Sequence, residues 1–332
     1  MPLSEKFIQS ELDKRRPGVS RVVSARREQD KVEILSGLFK GKTTGAPICM
    51  IVRNEDIDSA PYELLASRPR PGHADYPAHI RYGGFNDYRG GGRFSGRITV
   101  PFVMIGAVAK GLLARMGVEV LAHAIQIGRI RTVSQPTIAQ IRRNVYRNPV
   151  RCADSRVAKI MEREILEVAS QGDSVGGVVE GLALKVQAGI GDPLLDSLDA
   201  DIAKLMFDIP AVKGVEFGRG FGVVNLRGSE CNDPYAIHGG KVVTETNNSG
   251  GILGGLSTGM PIVVRVAFKP TPSIRKRQKT VDLERMEEVD LELAGRHDPC
   301  IVPRAVPVVE SALSAVLVDH LLRCQAIPRV LR

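Results

Sequence analysis

Apolar positions along the chain repeat with helical spacing in some segments and alternate or cluster like strands in others. Residues 154–170 form the clearest amphipathic pattern, with an apolar face that ends at Gly172. Helices are also predicted over residues 4–16, 99–116, 194–207 and 307–323. Strands are predicted over residues 31–39, 47–53, 178–186, 211–217 and 261–268.

These elements mix helices and strands without strict alternation, and no G-x-G-x-x-G motif joins a strand to a helix. The order therefore predicts an α+β fold rather than a doubly wound sheet. The chain shows no internal repeat or low-complexity linker, so residues 1–332 are expected to form a single domain. Segment 275–292 runs from basic to acidic, which favours a solvated hairpin or loop over a binding patch.

The composition is that of a soluble globular protein, with 43% hydrophobic and 25% charged residues. A net charge of +9 favours anionic partners, either nucleic acid or small phosphorylated acids. Aromatic residues make up only 5% and the motif "RGGGR" is not repeated, which disfavours nucleic-acid binding. The longest apolar run is too short for a membrane span, no secretion signal is expected, and five dispersed cysteines favour free thiols in the cytoplasm.

Arginine and glycine are concentrated in residues 68–97, where thirty residues contain six arginines and seven glycines. Guanidinium groups bind carboxylates and phosphates in bidentate fashion, while glycine lets backbone N–H groups approach the same anion. A solvated basic face is the simpler alternative, but the interleaved glycines and His73 favour an anion site. Arginines around His73 are expected to favour its neutral form and to hold it ready for proton transfer. The candidate anion ligands are Arg15, Arg16, Arg21, Arg70, Arg93 and Arg97.

Other motifs are less specific. "GLFKGKTTG" has three rather than four residues between its first glycine and Gly-Lys-Thr, so it is not a phosphate-binding loop. His73, Asp75 and His79 lack a further well-spaced ligand, and no metal site is expected. "FKPTPS" suits a phosphate through its lysine and hydroxyls, and "GRHDPC" places three polar groups in a row. His123 and His320 are expected to be surface or helix-packing residues.

Together these motifs resemble the chorismate synthase family, and the resemblance runs from residue 2 to the C-terminal helix. It is carried by "LDKRRPGVSR", "RPGHADY", "DYRGGGRFSGR", "NNSGGILGGLSTG", "FKPTPSI" and "GRHDPCIVPRAVPVVESA". The resemblance implies a lyase that converts 5-enolpyruvylshikimate 3-phosphate to chorismate and phosphate, the last step of the shikimate pathway that supplies aromatic amino acids. It also implies reduced FMN as cofactor, helices between antiparallel sheets, and a cytoplasmic homotetramer.

The resemblance assigns roles to particular residues. His73 matches the histidine that protonates the reduced flavin, and Asp298 matches the aspartate that helps to remove the substrate's C6 proton. The expected substrate ligands are Arg15, Arg21, Arg70 and Arg97, the first two also as contacts for NADPH as a reductant. The expected FMN ligands are Arg93, Phe94, Ser95, Ala211, Gly254, Lys269, Pro270, Thr271, Pro272, Ser273 and Arg296. Phe94 stands where many relatives have serine.

The resemblance departs at the start of the chain. Family members begin about thirty residues earlier, with their first strands and a Gly-Glu-Ser-His-Gly motif whose histidine is the general acid for the departing phosphate. Either Met1 is an internal methionine taken for the start, which the intact later motifs favour, or the chain is a natural short form, impaired or kept as an assembly partner. As written, the chain is expected to be weakly active or inactive, because one general acid contributes ~10²–10⁴-fold.

Overall fold

The computed structural model describes residues 1–18, 20–24, 26, 28–55, 60–293, 295 and 297–328 of the 332-residue chain. The α-helices within them are α1 (Glu5–Arg15), α2 (Asp75–Arg81), α3 (Val100–Arg115), α4 (Ile138–Asn144), α5 (Ser155–Ser170), α6 (Leu198–Phe207), α7 (Gly228–Cys231) and α8 (Val302–Arg323). The strands are β1 (Val32–Ser36), β2 (Leu38–Phe39), β3 (Lys42–Thr43), β4 (Cys49–Val52), β5 (Glu119–Ile127), β6 (Ile130–Arg131), β7 (Gly177–Leu184), β8 (Val212–Phe217), β9 (Tyr235–His238), β10 (Lys241–Thr244), β11 (Ile252–Leu253), β12 (Leu256–Ser257), β13 (Ile262–Phe268), β14 (Gln278–Asp282) and β15 (Glu287–Leu291).

A five-stranded antiparallel sheet, in the order β6-β5-β7-β13-β8, forms the centre of the fold. Strands β7, β8 and β13 confirm the predictions made from apolar alternation. In β13, Ile262, Val264, Val266 and Phe268 are buried while the intervening residues are partly exposed. One face of the sheet is therefore buried in the core, as expected for antiparallel strands in an α+β fold.

Strand β5 was not predicted, although it is the longest strand of the sheet. Its apolar alternation is interrupted by His123, whose side chain is completely buried and lies 3.2 Å from Glu180 of the neighbouring β7. The expectation that His123 is a surface or helix-packing residue is therefore wrong. The contact with Glu180 gives the Nε2 atom of His123 a polar partner in the core, while its Nδ1 atom is buried without a hydrogen-bond partner among the described residues.

Helices α1, α3 and α8 form a layer between the large sheet and the small β1–β4 pair. Helix α8 packs on β5, β7, α3 and α6, while α1 packs across α3 and α8 and contacts β1 on its other side. Gly106 permits the close approach of α3 to α8, since a Cβ at this position would lie 2.2 Å from the Ser311 Cβ. The predicted layering of helices between antiparallel sheets is present, with one sheet much larger than the other.

Helix α8 begins at Val302, five residues before the predicted start at Pro307. The prediction used proline as a marker of a helix start, and Pro303 in the first turn does have that role. Pro307 instead lies inside the helix, where it removes one backbone hydrogen bond. Burial of Val302 and Val306 in the core stabilises the additional turn.

Two regions predicted as irregular also contain regular structure. The charged segment 275–292 is the solvated hairpin that was predicted, formed by β14 and β15. The glycine- and arginine-rich stretch was predicted as loop, but it contains α2 and the 3₁₀ turns Arg89–Phe94 and Gly96–Thr99. Local composition is a weak guide here because contacts with distant segments hold these turns.

Among the described residues, two helical stretches are long and apolar enough to cross a membrane by length and composition, Gly96–Arg115 and Val302–Arg323. The apolar window of the second is 78% buried inside the protein, and that of the first is 39% buried. A buried core helix passes the same test of length and composition, so this finding is weak evidence for a membrane span.

Candidate active site

A cavity of about 620 Å³ lies where several loops meet at one end of the large sheet. Its walls come from the turn before α2, the 3₁₀ turns at 89–99, the α6–β8 connection, the turn after β13 and the segment leading into α8. The backbone N–H of Lys269 donates to the Ala211 carbonyl, which joins two of these loops. The volume is within the usual range for small-molecule and cofactor sites.

Most of the site residues expected from the sequence line this one cavity. His73 and Asp298, the two expected catalytic groups, both contribute to its wall. The other expected residues found there are Arg70, Arg93, Phe94, Ser95, Arg97, Ala211, Lys269, Thr271, Pro272 and Ser273. Segments separated by more than two hundred residues in sequence, from Arg70 to Asp298, therefore converge on a common space.

Arg15 lies outside this cavity and is only 2% exposed. Its guanidinium donates to Asp30 at 2.8 Å, to Thr99 Oγ1 at 2.8 Å and to the Gly96 carbonyl at 3.0 Å. Burial and the nearby charge of Arg304 lower the pKa of Arg15 to about 10 despite the ion pair with Asp30. Since each of its three nitrogens donates to a protein oxygen, Arg15 connects α1 to the loops in this structure.

Three other residues that the resemblance assigns to the site are described by the structure and are not part of the cavity wall. Arg21 is exposed and lines a smaller adjoining cavity of about 240 Å³, which shares Asp298 with the main one. Gly254 lies in the exposed turn between β11 and β12, and Pro270 is also exposed. Arg296 lies outside the described residues.

His73, Asp75 and Arg70 form a hydrogen-bonded network at the cavity edge. The Nδ1 atom of His73 lies 2.6 Å from Asp75 Oδ1, and Arg70 donates to both Asp75 oxygens through Nε (2.7 Å) and Nη2 (2.8 Å). Burial opposes the charge of Asp75, but hydrogen bonds from Arg70 and His73 outweigh it and hold the pKa of this carboxyl well below its usual value. Arg70 lies against the His73 ring, as the expectation of nearby arginines required, but a carboxylate also contacts the ring directly.

Asp298 is held from two sides. Its Oδ1 accepts from the Ser24 backbone N–H at 2.7 Å, and its Oδ2 accepts from Arg304 Nη1 at 2.6 Å. Arg304 belongs to the first turn of α8, and its Nε donates to the backbone carbonyl of Arg15. The side chain of Asp298 is 10% exposed, so it reaches the cavity from a fixed position.

Arg93, Arg97, Lys213 and Lys269 line the cavity without a carboxylate within 4 Å in the part of the chain that the structure describes, and we call them the unpaired cations. Partial burial and the charge of Lys213 lower the pKa of Lys269. Burial and Arg26 likewise lower the pKa of Arg97. Cations that repel each other in a partly buried wall leave an excess positive charge, which a bound anion would neutralise.

The cavity wall also contains backbone held in unusual conformations. Gly90, Gly91 and Gly92 all have positive φ, and Gly91 is buried beside Arg70 and His73. Ala211 has a φ of 76°, which is strained for a residue with a side chain. Such backbone is maintained when the surrounding structure demands it, and it is often found at functional sites.

Four wall residues were not assigned a role from the sequence: Tyr62, Lys213, His297 and Arg304. Nor was Asp75, which lies behind the wall in contact with His73. Asp75 was considered only as a metal ligand, and no group of three or more His, Cys, Asp or Glu side chains among the described residues is placed to hold a metal ion. Burial, and then the charge of Arg70, lower the pKa of His297, which favours its neutral form. His297 and Arg304 both lie in the motif "GRHDPCIVPRAV", which was the available signal.

Comparison with known proteins agrees with the resemblance. The chorismate synthase family model matches residues 1–322. Chorismate synthase of Korarchaeum cryptofilum is 54% identical over 323 residues, covering 97% of this chain and 89% of that protein. The Thermococcus kodakarensis enzyme is 53% identical over 324 residues, covering 98% of this chain and 90% of that protein. A crystal structure of chorismate synthase superposes with a TM-score of 0.76 at 30% identity, covering 97% of this chain and 84% of its own. The chain therefore belongs to the chorismate synthase family.

Proposed function

We propose that the 620 Å³ cavity is where this chain performs the reaction of its family. The family eliminates phosphate from 5-enolpyruvylshikimate 3-phosphate: the C–O bond to phosphate breaks, a proton leaves C6, and a new double bond gives chorismate. The single observation that carries the proposal is the convergence of His73, Asp298 and the unpaired cations on one space. The names of the relatives favour this enzyme over an assembly partner.

The unpaired cations suit the charge of the substrate, which carries one phosphate and two carboxylates. We assign anion binding chiefly to Arg93 and Arg97, because no carboxylate among the described residues competes for their guanidinium groups. Arg97 is oriented by neutral partners, chiefly the Gly90 carbonyl, which accepts from its Nη2 at 2.7 Å. Arg70 is only 5% exposed, and its donors are engaged by Asp75 and by Ser273 Oγ at 3.1 Å. We therefore propose that Arg70 chiefly orders the cavity wall through these bonds and is not by itself sufficient to bind the substrate.

Reduced FMN fits the same wall. The bare backbone of Gly90, Gly91 and Gly92 permits close approach of a flat ring system, and excess positive charge nearby suits its phosphate. When bound, the reduced flavin supplies the electron density that assists cleavage of the C–O bond. The residues proposed to hold it are Arg93, Phe94, Ser95, Ala211, Lys269, Thr271, Pro272 and Ser273.

His73 and Asp298 are the proposed proton-transfer groups. The imidazole of His73 reaches the cavity beside Gly91, so that its Nε2 can hold or deliver a proton there. Asp298 accepts hydrogen bonds from Ser24 and Arg304, which keeps a carboxylate oriented as the acceptor for the proton from C6. NADPH is not part of this proposal, and a role of Arg15 in binding it is disfavoured because three protein oxygens already accept from its buried guanidinium.

The test is phosphate release from 5-enolpyruvylshikimate 3-phosphate, measured anaerobically with reduced FMN. Arg97→Ala is expected to lower kcat/KM by roughly 10–100-fold, the value of one charged hydrogen bond or ion pair. Asp298→Asn is expected to lower kcat by roughly 10²–10⁴-fold. Arg163→Ala, at an exposed position of α5 outside the cavity wall, serves as the matched control. Equal rates in the control and both cavity variants contradict the proposal.

We further propose a homotetramer in the cytoplasm. The β9–β10 hairpin exposes Tyr235 (69%), Ile237 (77%) and Val242 (67%), and nearby in sequence Phe221 is 82% exposed. Apolar side chains exposed together are typical of surfaces that bind another chain. The five cysteines, all among the described residues, are unpaired, as is usual in a reducing compartment.

A further inference from the structure

We propose that Asp75 is a positioning residue for His73: it holds the Nδ1 proton of the imidazole and thereby presents Nε2 to the cavity. The assignment rests on the proposed function in that it explains how His73 is prepared for proton transfer. Nothing in the sequence motif alone distinguishes this role from the metal ligation considered for the same residues.

The local backbone brings the two side chains together. Asp75 is the first residue of α2, and its Oδ2 accepts from the backbone N–H of Arg70 at 3.0 Å. The backbone N–H of His73 donates to the Arg70 carbonyl at 3.2 Å, so the turn from residue 70 to residue 75 is closed by hydrogen bonds. The side chains of His73 and Asp75 are only 12% and 9% exposed, which limits their freedom to separate.

The chemistry of the contact determines which ring nitrogen carries the proton. An ionised carboxylate can only accept hydrogen bonds, so the 2.6 Å contact between Asp75 Oδ1 and His73 Nδ1 requires hydrogen on Nδ1. Arg70 can only donate, and its Nη2 lies 3.1 Å from Nδ1 and 3.4 Å from Nε2, against the ring. Since Arg70 forms a fork with both Asp75 oxygens, it acts on the histidine mainly through the carboxylate.

The other ring nitrogen is directed to the cavity. A Cβ built on Gly91 would lie 3.7 Å from His73 Nε2, so this nitrogen faces the bare backbone of the buried glycine in the cavity wall. A histidine whose Nδ1 is held by a carboxylate and whose Nε2 meets the reactant is a known solution for proton transfer, because the tautomer is set before the reaction. His73 and Asp75 have this arrangement at the edge of the proposed active site.

The first experiment reads the tautomer directly. The chain is labelled with ¹⁵N-histidine and studied by NMR without substrate or cofactor, with His73→Gln used to assign the signal. In the neutral ring, the wild-type signal of His73 is expected to show the proton on Nδ1, and Asp75→Asn is expected to lose this preference. A wild-type ring protonated on Nε2, or an Asp75→Asn spectrum identical to the wild type, overturns the proposal. The wild-type result alone is decisive if the variant does not fold.

The second experiment separates a role through His73 from a purely structural one. Asp75→Asn is expected to lower kcat by about 10²-fold, the lower end of what a positioned acid or base contributes, with a much smaller change in KM. The double variant His73→Gln/Asp75→Asn is expected to be no slower than His73→Gln alone, because both changes remove the same unit. Losses that multiply place the effect of Asp75 elsewhere and contradict the inference.

Asp282→Asn is the matched control for both experiments. Asp282 accepts from Arg68 Nε at 2.9 Å, which is an aspartate–arginine pair of the same kind outside the cavity wall. This control is expected to leave the His73 tautomer and the turnover unchanged. Failure of the wild type to release phosphate while its tautomer is as expected contradicts the proposed function and not the orientation of His73.

Discussion

Two groups of charged residues in this molecule are built in opposite ways. In the charge cluster of Glu11, Lys110 and Glu310, the ammonium lies 2.7 Å from a carboxylate oxygen on each side, and the remaining Glu310 oxygen accepts from the Ala122 N–H. In the cavity wall, the unpaired cations have no such partners among the described residues. Arginine and lysine are abundant in the chain. A neighbouring carboxylate distinguishes the cations that stabilise the fold from those that are free to bind an anionic ligand.

The pKa directions show the same contrast. Burial disfavours the charge on Lys110, but the adjacent Glu310 and Glu11 outweigh this effect and raise its pKa. Burial also disfavours the charge on Lys269, and its neighbour Lys213 adds repulsion, so its pKa is lowered. An ammonium stabilised by its surroundings contributes to folding, whereas one destabilised by them has binding energy available for an anion.

Removal of the central cation from the charge cluster should produce the largest effect on stability. Lys110→Met leaves Glu310 buried without its cation, while Glu11 keeps Lys14 at 2.6 Å, and is expected to lower the free energy of unfolding by about 3–5 kcal/mol. The measurement is urea unfolding followed by circular dichroism. Lys276→Met, which breaks an exposed pair with Asp173, is the control and is expected to cost less than about 1 kcal/mol. Equal losses of unfolding free energy at the two positions would show that the charge cluster stabilises the fold no more than an exposed ion pair does.

A cavity cation should behave in the opposite way. Arg93→Ala is expected to change the free energy of unfolding by less than about 0.5 kcal/mol, since no described side chain bonds to it. The same change is expected to weaken FMN binding by roughly 10–100-fold, measured by quenching of flavin fluorescence. Arg163→Ala again provides the control. Unaltered FMN affinity in Arg93→Ala removes this residue from the proposed binding site.

The smallest expected effect is the contribution of Glu11 to the loss of stability at acidic pH. Burial opposes the charge of Glu11, but Lys110 and Lys14 outweigh it and lower the pKa of this carboxyl in the folded protein. The unfolded chain therefore binds the proton first, and the stabilisation from Glu11 is present above about pH 4.3 and lost as the pH falls through the folded pKa. Urea midpoints measured from neutral to acidic pH should fall less steeply in Glu11→Gln than in the wild type. Parallel curves would exclude this contribution.

Sequence reasoning found most of the fold because apolar spacing is a local property. Strands β8 and β13 and helix α5 each follow directly from their own residues. Strand β5 did not, since its buried His123 is compatible with the core only through Glu180 on another strand. Helix α2 was missed for a similar reason: the bonds that hold its start come from Arg70, outside the helix.

The sequence predicted which residues line the site, but not which of their side chains bond to one another. The density of arginine and glycine in residues 68–97, and the family motifs, identified most of the cavity wall. They did not reveal that Arg15 donates to Asp30, Thr99 and Gly96, or that Asp75 contacts His73. Which arginine meets a carboxylate depends on the three-dimensional path of the chain, and residue counts along the sequence carry no information about it.

Helix α8 connects the two groups of charges. Arg304, which holds Asp298, and Glu310, which pairs with Lys110, are six residues apart on this helix, a separation of about 9 Å along its axis. A sliding of the helix by one ångström would misalign both contacts at once. Random mutagenesis of the interior should therefore yield variants that stay folded at room temperature but have lost turnover. We expect these substitutions to be concentrated among the side chains that pack against α8.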